Sequence, residues 1–130
     1  MIHVQNLSKK YGDLTAIQNV SLRLEKGDVL GFLGPNGAGK TTTMRIITGY
    51  MPPNKGSVLI DDIDIFEFPI EAKSRIGYLP ENPPLYNDMT VTDYLDFVAD
   101  IKRVKGKDKI RKISDILEKC AIYDVRNRII

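Results

Sequence analysis

The segment Gly34-Pro35-Asn36-Gly37-Ala38-Gly39-Lys40-Thr41 fills every fixed position of the pattern G-x-x-x-x-G-K-[ST]. Those residue types at that spacing suit the holding of a chain of phosphates. Glycines let successive backbone N–H groups turn inward as an anion nest without Cβ clashes. The whole run from Gly34 through Pro35, Asn36, Gly37 and Ala38 to Gly39 is therefore a candidate phosphate cradle. The Lys40 ammonium suits β- and γ-phosphate oxygens, and the Thr41 hydroxyl suits a Mg²⁺ ion that bridges them. Thr42 offers a further hydroxyl for the α-phosphate. This chemistry points to a nucleoside triphosphate, with Lys40 as the first catalytic candidate.

A cradle of this kind has to sit between a strand and a helix, and the flanking residues supply both. Val29-Leu30-Gly31-Phe32-Leu33 is a short apolar run, expected as a strand covered on both faces of a parallel sheet. Thr41 to Thr48 reads as a helix stopped by Gly49 and the pair Pro52-Pro53. Further out, Ile2 to Gln5 and Val20 to Leu24 alternate as half-buried strands, with turn signals at Gly12-Asp13 and Gly27-Asp28. Ser57 to Ile60 and Arg75 to Leu79 are two more strand candidates, the second ended by Pro80, Pro83 and Pro84. Val91, Tyr94, Leu95, Val98 and Ile101 recur at helical spacing, with Thr90 or Thr92 placed to cap. Ile110, Ile113, Leu117 and Cys120/Ala121 repeat that spacing on a second helix.

Composition bounds the rest. At 130 residues, 42% hydrophobic and 28% charged, the chain has the size and make-up of one ordinary globular domain. It has no apolar run near the roughly 20 residues that span a bilayer. The start of the chain lacks the pattern of a secretion signal. The single cysteine, Cys120, excludes a disulfide framework and suits a reducing, cytoplasmic compartment. Charge is uneven: residues 1–100 carry nine Lys/Arg against thirteen Asp/Glu, whereas residues 101–130 carry ten against four. The basic run from Lys102 to Lys112 has no interleaved aromatic to stack on bases, so it reads as a solvated turn between helices rather than a nucleic-acid surface. His3 has no partner at metal-ligand spacing, and Cys120 fits an apolar helix face.

The phosphate pattern alone does not choose a family. A small GTPase needs D-x-x-G after the loop and N-K-x-D further on. Here the one D-x-x-G match, Asp28 to Gly31, lies before the loop, and Asn54-Lys55-Gly56-Ser57 lacks the final Asp. Instead, the chain resembles the ATP-binding subunits of ABC transporters along essentially its whole length. The resemblance is carried by Leu7-Ser8-Lys9-Lys10-Tyr11-Gly12, Thr15 to Ser21, Gly31 to Thr42, Gly49 and Gly56 about the proline turn, and Ile76-Gly77-Tyr78-Leu79-Pro80-Glu81. Its flavour is that of bacterial exporters and gliding-motility subunits.

The resemblance implies an α/β fold: a P-loop NTPase core with a small N-terminal antiparallel β part and the start of a helical subdomain. It divides the chain into an antiparallel part (1–27), a core with the Q-loop (28–84) and a helical beginning (85–130). It implies that Tyr11 stacks on adenine. It puts Glu81 at the Q-loop position, where relatives carry Gln, as a catalytic and Mg²⁺-binding candidate. Asp61-Asp62 stands where relatives have Asp-Gly at a turn. The implied partners are ATP, Mg²⁺, a membrane-spanning transporter subunit and a second nucleotide-binding subunit paired head to tail. The implied location is the inner face of the cell membrane, reached through that partner. The family's signature, its Asp-Glu strand and its switch histidine do not occur in these residues, and Asp124 to Ile130 resembles the stretch just before the signature. An incomplete domain, weak or inactive alone, is therefore expected. Two other readings remain open, a regulatory module that binds ATP without turnover and a soluble ABC protein with no transport task.

Overall fold

The computed structural model describes residues 1–130 as two compact units, Met1–Leu79 and Pro80–Ile130. The first is built on β1 (Ile2–Tyr11), β2 (Leu14–Leu24), β3 (Lys55–Ile60) and β4 (Ile63–Asp64), an antiparallel sheet in the order β2-β1-β3-β4. Helices α1 (Lys40–Ile47) and α2 (Pro69–Ser74) complete it. Val4, Leu7, Ile17, Val58 and Ile60 from the strands pack with Ile46, Ile47, Ile65 and Ala72 in one buried core.

β1 and β2 run further than their alternation suggests, because each contains a bulge. Register shifts fall between Val4 and Leu7 and again on either side of Lys9. Asn6 and Asn19 take left-handed φ values of 49° and 51°, a conformation asparagine tolerates better than most residues. The extra residue lets Val4 and Leu7, three apart, both face the core with no exposure. Serines take up the freed amides: Asn6 N donates to Ser21 Oγ at 2.8 Å and Asn19 N to Ser8 Oγ at 2.9 Å. Strict period-2 reading therefore stops at Gln5 and restarts at Val20. Opposite the first bulge, Gly56 lies so close to the Gln5 carbonyl that a Cβ there has no room.

Two expected strands do not form. Residues 29–33 and 76–79 are irregular, with Val29 97% and Leu33 93% exposed. Their composition suits a strand paired on both sides, but no other segment of the 130 residues offers them a ladder. The sheet is antiparallel throughout, so the expected covering of Val29 to Leu33 in a parallel sheet is not met. α2 and the two-residue β4 were not apparent in the hydrophobic pattern, being too short to show a period.

In the second unit, α3 (Val91–Ile101) and α4 (Gly106–Lys119) form a hairpin, followed by a short 3₁₀ turn, Tyr123–Val125. Thr90 caps α3, its Oγ1 accepting from Asp93 N at 3.1 Å and donating to the Asp93 carboxylate at 2.7 Å. Thr92 is not the cap; its hydroxyl donates to the Arg126 carbonyl at 2.9 Å and ties the last residues to the start of α3. Within the basic run, Lys109 turns to α3 and meets Asp96 at 2.7 Å and Asp100 at 2.8 Å. The Asp100 carboxylate, then Asp96, holds its ammonium pKa above the ordinary lysine value. Leu117 is buried, but Ile110 is 74% exposed and Cys120, at the C-cap, is exposed too. The expected apolar face is thus shifted: the stem of Lys109 rather than Ile110 continues the Ile113–Leu117 stripe.

The β3–β4 turn explains Asp61-Asp62. Both take left-handed φ values, 47° and 64°, between the paired residues Ile60 and Ile63, as a two-residue type I′ turn requires. Asp61 also gathers charge, with the N-terminal amine at 2.6 Å and Arg75 at 3.4 Å. The hydrogen bond from the amine, then that from Arg75, lowers its carboxyl pKa. A lowered native pKa gives stability that is present above the unfolded value and lost as pH falls through the native one. Urea unfolding between about pH 7 and about pH 3 checks this. Asp61→Asn is expected to be less stable than the parent at the upper end, with the gap closing toward the lower.

Candidate functional site

The candidate phosphate cradle is shaped by contacts at its two ends. At its start, Ala38 N donates to the Pro35 carbonyl at 3.3 Å, closing a tight turn. At its end, Gly39 takes φ 86° and lies against β2, where a Cβ would run into the Ala16 carbonyl. Any side chain at 39 would have to push the loop off the sheet. Residues 31–38 are exposed, so the cradle is open to a ligand along its length.

Gly39 is also the N-cap of α1 and supplies no side-chain cap. Thr43 N donates to its carbonyl at 2.8 Å, as the first amide of the helix with an upstream carbonyl partner. The N–H groups of Lys40, Thr41 and Thr42 precede that bond and have no intrahelical acceptor. No acidic residue sits in the first turn to neutralise them. The partial positive charge of the helix end, together with Lys40, therefore faces the loop unopposed. Lys40 Nζ donates to the carbonyls of Gly34 at 2.6 Å and Pro35 at 2.7 Å. Of three ammonium protons, two are held by the loop and one is left without a partner in the protein.

Thr43 belongs to this arrangement although the motif does not name it. It is 2% exposed, and its hydroxyl donates to the same Gly39 carbonyl at 2.9 Å. Two donors from one residue thus fix the peptide on which the loop turns into the helix. The signal was its place four residues after Gly39, where a threonine hydroxyl can reach back to the carbonyl.

Tyr11 stands in the same unit at the end of β1, paired with Leu14 across a two-residue turn. Ala16, the residue facing Gly39, is two positions further along β2, roughly 7 Å at strand rise. Tyr11 as a whole is 44% exposed. Its hydroxyl donates to Met51 Sδ at 3.2 Å, and Lys9 Nζ lies 5.6 Å from the ring centroid. The residues Gly34 to Thr42 and Tyr11 therefore share one unit. Glu81 is an exposed residue of the other unit. His3 lies on β1 beside Gln5, whose amide approaches its ring nitrogens at 3.2 and 3.4 Å.

Known proteins resemble this chain in sequence and fold. The family model described as ABC transporter matches residues 17–130. The lipopolysaccharide export system ATP-binding protein LptB of Escherichia coli is 35% identical over 126 residues, covering 95% of this chain and 52% of that protein. The probable multidrug ABC transporter ATP-binding protein YbhF of the same organism is 34% identical over 118 residues, covering 91% of this chain and 20% of its own length. A solved ATP-binding subunit of an ABC transporter superposes with a TM-score of 0.87 at 25% identity, over 99% of this chain and 54% of that one. The chain thus spans about half the length of the export relative, and its antiparallel sheet and helices match the corresponding part of the solved subunit. With an α/β, P-loop architecture and a family match over most of its residues, the chain belongs to the ABC transporter ATP-binding family.

Proposed function

We propose that this chain binds Mg-ATP through the Gly34–Thr42 cradle, as part of an ATPase that drives transport through a membrane-spanning partner. The observation that carries the reading is the uncapped start of α1, whose free amides face a glycine loop with Lys40 beside it and no carboxylate to compete. In this reading the amides of the loop and of Lys40 to Thr42 hold the phosphates, and the third Lys40 proton takes a β- or γ-phosphate oxygen. The Thr41 hydroxyl, which has no hydrogen-bond partner in the protein, is free to ligate Mg²⁺. When bound, that ion would supply positive charge to offset that of the phosphates. Tyr11 stacks on the base, a contact of about 1 kcal/mol with little discrimination among bases.

Glu81 is proposed as the carboxylate that answers to the metal, in place of the glutamine of relatives. Oxygen donors suit a hard cation such as Mg²⁺. Pairing with a second nucleotide-binding subunit and attachment to the inner membrane face through the partner belong to the same proposal. So does the expectation that these 130 residues alone bind nucleotide with little turnover, since no Asp-Glu strand or signature occurs among them.

Two measurements test this. Equilibrium titration of Lys40→Ala with Mg-ATP is expected to show affinity lowered by about 10- to 150-fold, the equivalent of a charge-assisted bond of about 1.5–3 kcal/mol. Unchanged affinity would sink the assignment. Glu81→Ala is expected to weaken Mg-ATP more than metal-free ATP, and an equal effect on both would remove Glu81 from the metal site.

A further inference from the structure

The Tyr11 ring is held by contacts that the phosphate motif does not explain. Its phenol proton goes to Met51 Sδ at 3.2 Å. Lys9 Nζ lies over the ring and is itself tethered by the Pro52 carbonyl at 2.7 Å. Met51 in turn is anchored to the end of α1: Tyr50 N and Met51 N donate to the Arg45 carbonyl at 2.8 and 3.4 Å. The turn after Met51 is stitched back to β1, with Asn54 N donating to Ser8 O at 2.9 Å and Lys10 N to Asn54 Oδ1 at 2.7 Å. A tyrosine at a hairpin end would otherwise sample several rotamers, and stacking a base on it would cost that freedom.

We propose that Met51 is a positioning residue for nucleobase binding, its thioether fixing the Tyr11 ring so that one face, the one away from Lys9, is presented to the base. This rests on the reading of Tyr11 as the base-stacking residue. Met51 does not touch the nucleotide in this proposal; it acts through the phenol proton alone. The site therefore joins two readers on one element. The start of α1 holds the phosphates, and the turn after its end orients the aromatic that receives the base.

The test uses the full chain, with ATP and inorganic tripolyphosphate as probes. Met51→Leu keeps the volume and removes the acceptor. It is expected to weaken ATP by about 2- to 10-fold, the range for losing one pre-ordered side chain, and to leave tripolyphosphate unchanged. Tripolyphosphate binding also reports that the variant is folded. Tyr11→Phe is expected to weaken ATP by a similar factor, and the double variant no more than either single one. Additive losses, an equal loss for tripolyphosphate, or no loss in Met51→Leu would each overturn the proposal. Unchanged ATP affinity in Tyr11→Ala would overturn the base-stacking reading beneath it.

Discussion

The Ala16 carbonyl occupies the place where residue 39 would carry a side chain. The site depends on that close approach. It seats the end of the phosphate loop on β2, and β2 is held to the core through Ile17, the very next residue. Because Gly39 is at once the contact point and the N-cap of α1, the position of the loop also sets where the helix begins. Thr43 then fastens the same peptide from the helix side. A left-handed residue with no Cβ is the only one that meets both demands without strain. The chemistry of the motif and the packing of the sheet are thus one constraint expressed at one residue.

α1 has eight residues, which is too short to persist on its own in water. It stands because Ile46 and Ile47 are buried among Val4, Leu7, Val58 and Ile60. Burial of side chains of this kind contributes about 1.5–3 kcal/mol each, enough to hold a helix whose first turn has neither a side-chain cap nor an acidic residue. Those two local defects are the features that leave its amides and its charge available. The sheet's apolar face supplies the stability that the binding end of the helix lacks.

The sequence was most legible where local chemistry decides the outcome. The glycine loop ahead of α1, α1 itself, a threonine cap on α3 (Thr90 of the two candidates) and the two helices of the second unit could be read from residue types and spacing. Tertiary requirements were less visible. Val29 to Leu33 has the composition of a buried strand, yet a strand exists only where another segment completes its ladder, and composition does not say whether one is present. The bulges at Asn6 and Asn19 broke the alternation that marks a strand, so both strands looked half their true length. Cys120 and Ile110 fitted a helical period, but the Lys109 stem took the packing position because Asp96 and Asp100 fix its ammonium on the neighbouring helix. In the site, Thr43 lay outside the fixed positions of the motif, and the Tyr11–Met51 contact joins residues 40 apart in sequence.

That last separation bears on how a site of this kind keeps its geometry. In the proposed site the loop would receive the phosphates and Tyr11 the base, and the covalent links of a nucleotide limit how far apart these two receptors can lie. α1 spans roughly 12 Å from Lys40 to Ile47 at helical rise. Gly49, at φ 69°, then turns the chain back, and the 51–54 turn is stitched to β1 beside Tyr11. From the other direction, β2 leads from Leu14, opposite Tyr11, to Ala16, against Gly39. The two routes close a ring: loop, helix, turn, Tyr11, strand and loop again. A movement of the loop on β2 that did not also move α1 would break either the Thr43 bonds or the core contacts of Ile46. Rigidity of the spacing between the loop and Tyr11 therefore follows from a closed circuit of short elements rather than from any single strong interaction.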